Sequence, residues 1–119
     1  MKTVEEWRSV LRAALKEAMR ERRPHAVSVL RETLGAIDNA EAAESSAAPT
    51  AQPGVIAGGV AGNGAGEVPR KVLSPEAVNA IIERELLERR EAVVAYVSLG
   101  KTEEVERLTG QLEVLASLF

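Results

Sequence analysis

The chain has 119 residues, a formal net charge of −3, no cysteine, one histidine (His25) and three aromatic residues, Trp7, Tyr96 and Phe119. That length suits one small domain; zero cysteines exclude disulfide scaffolds, thiolate metal sites and cysteine nucleophiles, and a lone histidine excludes a His-pair metal site and leaves little general-base chemistry near neutral pH. No run of about 18 apolar residues occurs, which excludes a helical membrane span, and Glu5 and Glu6 stand where a signal peptide needs an apolar core, so a cytoplasmic module with no cofactor and no metal is expected.

Thr3 and Glu6 form a capping box that opens the first helix, expected over 4–22. Val4, Trp7, Leu11, Ala14, Leu15 and Ala18 recur at helical spacing and make one apolar face. Pro24 ends that helix and suits the first turn of the next, expected over 25–43. This second helix carries Val27, Leu30, Leu34, Ile37 and Glu41 along one face. Gly35 in its middle costs about 1 kcal/mol against alanine, which points to close packing with a neighbour.

Composition breaks at Ser45. Residues 45–69 hold six of the nine glycines, three prolines and a single charge, Glu67, so they cannot bury enough side chain to offset backbone ordering and are expected to form a flexible linker. A phosphate-binding loop is not supported there. Gly66 is followed by the acid Glu67 where a P-loop needs lysine, and the glycines at 59, 62 and 64 reverse the order of the dinucleotide fingerprint.

Ser74, Pro75 and Glu76 supply a cap, a proline at the first helical position and an acid at the positive end of a third helix, expected over 75–99. Gly100 suits a left-handed C-terminal cap. Thr102 caps a fourth helix, expected over 103–118, in which Val105, Leu108, Leu112, Leu115 and Leu118 form a heptad-like seam. No strand pattern occurs anywhere, so the fold class is all-α: a four-helix, bundle-like domain with a long Gly/Ala/Pro-rich loop between helices two and three.

Two groups of polar residues stand out. On a wheel of about 100° per residue, Glu85 and Arg89 lie in the middle of the apolar stripe Val78, Ile82, Val93 and Tyr96, four apart with the acid first, the favourable order for an intrahelical pair. Arg31 borders the apolar face of the second helix. Arg31, Glu85 and Arg89 therefore read either as a buried cluster for an anionic ligand or as an ion-pair network that fixes helix register.

The second group is basic. Arg8, Arg12, Lys16 and Arg20 recur every four residues, and Arg22, Arg23 and His25 extend the row. Residues 1–31 carry eight Lys/Arg against four acids, net +4, whereas residues 32–66 are net −4 and residues 67–119 net −3. An acidic chain with a locally basic face can bind phosphates, because binding follows local charge; the alternative is a solvated face partly neutralised by Glu17 and Glu21. Catalysis has no comparable support: Ser45 and Ser46 have no histidine or lysine nearby to activate them, and the pair Glu103 and Glu104 suits a helix dipole.

Leu11 to Arg20, Val29-Leu30-Arg31 and Ala36 to Glu41, then Leu73 to Val78, Ile82 to Glu85, Arg89 to Ala92 and Tyr96, with Gly100, Glu104, Arg107 and Leu112 to Leu115, follow one another in an order that resembles the YqeY-like family. The resemblance covers nearly all of the chain outside the linker. It implies an all-helical domain of the kind also found as the tail of the B subunit of glutamine-dependent tRNA amidotransferase, where the tail is associated with holding tRNA and amide transfer happens elsewhere. The implied role is thus a non-catalytic accessory module associated with tRNA. By position, Arg31, Asn39, Glu41, Glu85, Arg89 and Tyr96 match recurring polar and aromatic sites of that family.

Two departures accompany the resemblance. The usual connection between helices two and three is short and polar, and the family continues into a further small helical unit after the fourth helix. The expected RNA-binding residues are Arg8, Arg12, Lys16, Arg20 and Arg23. The alternative is a protein–protein or homodimerisation module using the fourth-helix leucine seam with Leu118 and Phe119, which need cover.

Overall fold

A computed structural model describes residues 1–47 and 72–119, with side chains described up to residue 43 in the first segment. Four α-helices follow in chain order, α1 (Val4–Arg20), α2 (Pro24–Ala47), α3 (Pro75–Ser98) and α4 (Thr102–Ala116), and no strand occurs among the described residues. The domain is all-α. Ser45, Ser46 and Ala47 continue α2; the rest of the expected linker, residues 48–69, lies outside the described residues.

Local chemistry sets the helix ends. Thr3 Oγ1 accepts from the Glu6 amide at 3.1 Å, and Glu6 Oε1 accepts from the Thr3 amide at 2.9 Å, a reciprocal capping box that satisfies two otherwise orphaned donors. The helix stops at Arg20, short of the expected residue 22, because Arg22 turns left-handed at φ 57°. The Arg23 amide then donates to the Ala18 carbonyl at 2.9 Å and the Arg22 amide to the Met19 carbonyl at 3.2 Å, which is a Schellman ending.

α3 ends in the same way. The Lys101 amide reaches the Tyr96 carbonyl at 3.0 Å, the Gly100 amide reaches the Val97 carbonyl at 3.1 Å, and Gly100 has φ +69°. Glycine adopts that conformation freely, whereas an L-residue such as Arg22 pays about 1 kcal/mol for it.

At the start of α3, Ser74 Oγ accepts from the Ala77 amide at 3.0 Å, and Pro75 sits at the first position. α4 differs from expectation. Lys101 holds its N-cap position, no side chain caps it, and Thr102 is already helical.

α3 packs most extensively against α4, α1 against α2, and α2 also against α4. Their shared core contains Trp7, Leu11, Leu30, Ile37, Val78, Ile82 and Leu115, all nearly inaccessible to solvent. The leucine seam of α4 faces this core: Leu108 and Leu115 are buried, and Leu112 and Leu118 are half-buried against it. The C-terminal Phe119 meets the Trp7 ring edge-on, with centroids 5.3 Å apart. Gly35 corrects an expectation, because a Cβ placed there would meet nothing within 4 Å; no close neighbour requires the glycine.

Candidate nucleic-acid interface

The basic row of α1 divides when the helix packs. Arg8 turns inward between α1 and α2, where its guanidinium donates to Glu41 Oε1 at 2.7 Å, Glu41 Oε2 at 3.2 Å and Asp38 Oδ1 at 2.6 Å. The Arg8 and Glu41 side chains are only 11% and 6% exposed. The hydrogen bond that Arg8 donates to Glu41 raises the Arg8 pKa above its ordinary value, burial partly opposes the rise, and Asp38 adds to it. This bidentate fork is well suited to pinning α2 to α1. It removes Arg8 from the set of exposed cations.

Arg12 and Lys16 remain exposed and have no ion-pair partner among the described residues. Arg20 is exposed but pairs with Glu17. Residues seven apart on a helix differ by about 20° and residues three apart by about 60°, so Arg12 and Lys16 share the α1 face that carries Met19. That face runs down to the corner between α1 and α2.

At the corner lies an open groove of about 750 Å³. Arg22, Arg23 and Arg31 line it together with Met19, Pro24 and Val27, and Ser28 and Glu32 complete the lining. Arg31 is exposed, with Nη2 3.8 Å from Met19 Sδ. Arg23 has a long contact with Glu21, 3.7 Å. The acid of the lining, Glu32, has its carboxylate engaged by Arg89, and Ser28 Oγ donates to it at 3.3 Å.

Arg89 is the centre of a separate cluster. It is 8% exposed and donates to Glu85 Oε1 at 2.8 Å, the Glu85 carbonyl at 3.0 Å, Gln111 Oε1 at 3.0 Å and Glu32. Every nitrogen of its guanidinium thus meets a protein acceptor, and the cluster ties α2, α3 and α4 together. Such an arrangement sets helix register, since an unpaired charge at that depth would be strongly disfavoured.

The six polar and aromatic residues singled out by the family resemblance are therefore not gathered in one place. Glu85 and Arg89 pair, Glu41 joins Arg8, and Arg31 lies at the corner. Exposed Asn39 lines a shallow groove of about 480 Å³ between α2 and α3 that Glu85 also lines, and half-buried Tyr96 lies near the end of α3. Glu32 and Gln111 enter the Arg89 cluster without having been picked out in the sequence. Gln111 had a visible signal: it is three residues after Leu108 and four before Leu115, a polar side chain on the apolar face.

Among the described residues, no group of three or more His, Cys, Asp or Glu side chains could hold a metal ion, and no helix is long and apolar enough to cross a membrane. Comparison with protein families, curated proteins and solved structures finds no match for this chain.

Proposed function

We propose that the chain is a non-catalytic helical accessory module that binds RNA through the exposed face of α1. Its resemblance to YqeY-like proteins directs the reading to tRNA and to glutamine-dependent tRNA amidotransfer, with the amide chemistry carried out by other proteins. The observation that carries the reading is the placement of exposed Arg12 and Lys16 on the α1 face that leads to a corner groove lined by Arg22, Arg23 and Arg31, on a chain whose net charge is −3. Cations that touch phosphates release condensed counterions, so such binding weakens steeply with salt.

The test is tRNA binding across a salt series for the wild type and for the double variant Arg12→Glu, Lys16→Glu. Losing two phosphate contacts flattens the dependence of log K on log salt by roughly 1.4 to 1.8, at about 0.7 to 0.9 per contact. Absence of binding at low salt, or a slope indifferent to the charge reversal, rejects the proposal.

A second reading, self-association, has its own observation. Leu87, Val94 and Val97 on α3 are 50%, 68% and 60% exposed and, seven and three residues apart, share one helix face, an apolar strip that a protein contact would cover. It relocates the contact from the α4 seam, which faces the core, to the outer side of α3. Light scattering decides it, because a monomer throughout the micromolar range excludes a dimer of useful affinity.

A further inference from the structure

We propose that the α1–α2 corner seats the phosphorylated end of an RNA strand, with the terminal phosphate held by Arg22, Arg23 and Arg31 and the adjoining base laid on Met19 and Val27; this rests on the RNA reading above. Three arginines line one groove, and each guanidinium can offer a planar pair of N–H donors to phosphate oxygens. A terminal phosphomonoester carries close to two negative charges near neutral pH, against one for a backbone diester. An open groove lined by three arginines therefore favours the doubly charged chain end, while the row of Arg12 and Lys16 suits the continuous backbone.

The surroundings do not cancel that charge. Glu32 is already engaged by Arg89 and Ser28, and the Glu21 contact to Arg23 is long at 3.7 Å. The groove, about 750 Å³, falls within the size range of roughly 300–1,000 Å³ typical of small-ligand sites, so one nucleotide fits. Its apolar portion, Met19 and Val27, offers a polarisable sulfur and aliphatic carbon for a base to pack on.

Arg22 supplies a separate argument. It occupies the left-handed position of a Schellman ending, the place where α3 uses Gly100. Glycine would relieve the backbone there. Arginine instead keeps a cation at the groove, and an observed strained residue beside a cluster of like charges is a pointer to function.

The experiment uses the full chain and a pentaribonucleotide labelled with fluorescein at its 3′ end, carrying either a 5′-phosphate or a 5′-hydroxyl, read by anisotropy. The 5′-phosphorylated strand is expected to bind about tenfold tighter. Arg31→Gln and Arg22→Gly each remove most of that difference, while thermal melting shows Arg22→Gly to be at least as stable as wild type, which separates lost binding from lost folding. Arg90→Gln on α3 retains the preference. AMP displaces the strand and shifts the amide resonances of Val27 and Ser28.

Equal affinity for the two strands, unaltered by the corner variants, overturns the inference and leaves the RNA reading standing. Displacement by inorganic phosphate as effective as that by AMP overturns the role given to Met19 and Val27. Binding of AMP at the corner with no binding of either strand or of tRNA overturns the RNA reading while retaining a nucleotide-phosphate site.

Discussion

Arg8 and Arg12 are both arginines on α1 four residues apart, yet packing gives them opposite fates. Arg8 meets Asp38 and Glu41 at the α1–α2 interface and becomes structural; Arg12 stays exposed without a partner among the described residues. Removing the Arg8 side chain leaves the Glu41 carboxylate, 6% exposed, without its bidentate donor. Arg8→Ala is therefore expected to destabilise the fold by about 3 kcal/mol, the lower end for breaking a buried pair, and urea denaturation measures it.

A double-mutant cycle with Glu41→Gln isolates the coupling between the two side chains. The pH dependence has a definite sign. The folded pKa of Arg8 is raised above its ordinary value, so its contribution is present in full below the unfolded pKa and is lost only as pH climbs through the higher folded value. Between pH 6 and 10, the Arg8→Ala penalty in the urea midpoint stays constant.

The helices show which information was local and which was not. Caps are local, so Thr3 with Glu6, Ser74 with Pro75, and Gly100 could be read directly from the sequence, as could the all-α class and the pairing of Glu85 with Arg89. Helix-to-helix placement is not local, and the misplacement of Arg31 follows from it. Adjacent helical residues point about 100° apart, so a small rotation of α2 decides whether residue 31 or 32 faces α3. Charge was the usable clue: Arg89 attracts Glu32 and would repel Arg31. The N-terminal Schellman turn had no glycine to announce it, and for that reason the corner groove was hidden.

The two helical glycines with no neighbour give a test at this scale. A Cβ at Gly35 or Gly110 meets nothing within 4 Å, and neither has a positive φ. Alanine at either position restricts the unfolded chain without a clash in the folded one. Gly35→Ala and Gly110→Ala are each expected to raise unfolding stability by about 0.5 to 1 kcal/mol, additively if the two sites are independent. Loss of stability at Gly35 would reveal a neighbour that the fold does not place there.

Across the whole molecule, α1 is held from one side and presented from the other. Lys2 Nζ donates to the Leu118 carbonyl at 3.2 Å and lies 4.8 Å from the Trp7 ring centre, and Phe119 closes on the same ring. These contacts bring the two ends of the chain together beside the core, while Arg12 and Lys16 stay on an exposed face. Anchoring and the proposed RNA contact thus fall to different side chains of one helix. Phe119→Ala tests that separation. It removes an edge-to-face aromatic contact worth about 0.5 to 1.5 kcal/mol beyond its buried area and uncovers Trp7, which is 1% exposed in the intact fold. As Trp7 is the sole tryptophan, its emission shifts to longer wavelength and the unfolding midpoint falls by the equivalent of about 1 kcal/mol. The salt slope of tRNA binding is expected to match the wild type at temperatures where the variant is folded, because no cation of the α1 row has moved. A flattened slope together with the red-shifted emission would mean that the chain ends set the orientation of α1, and that anchoring and binding cannot be separated.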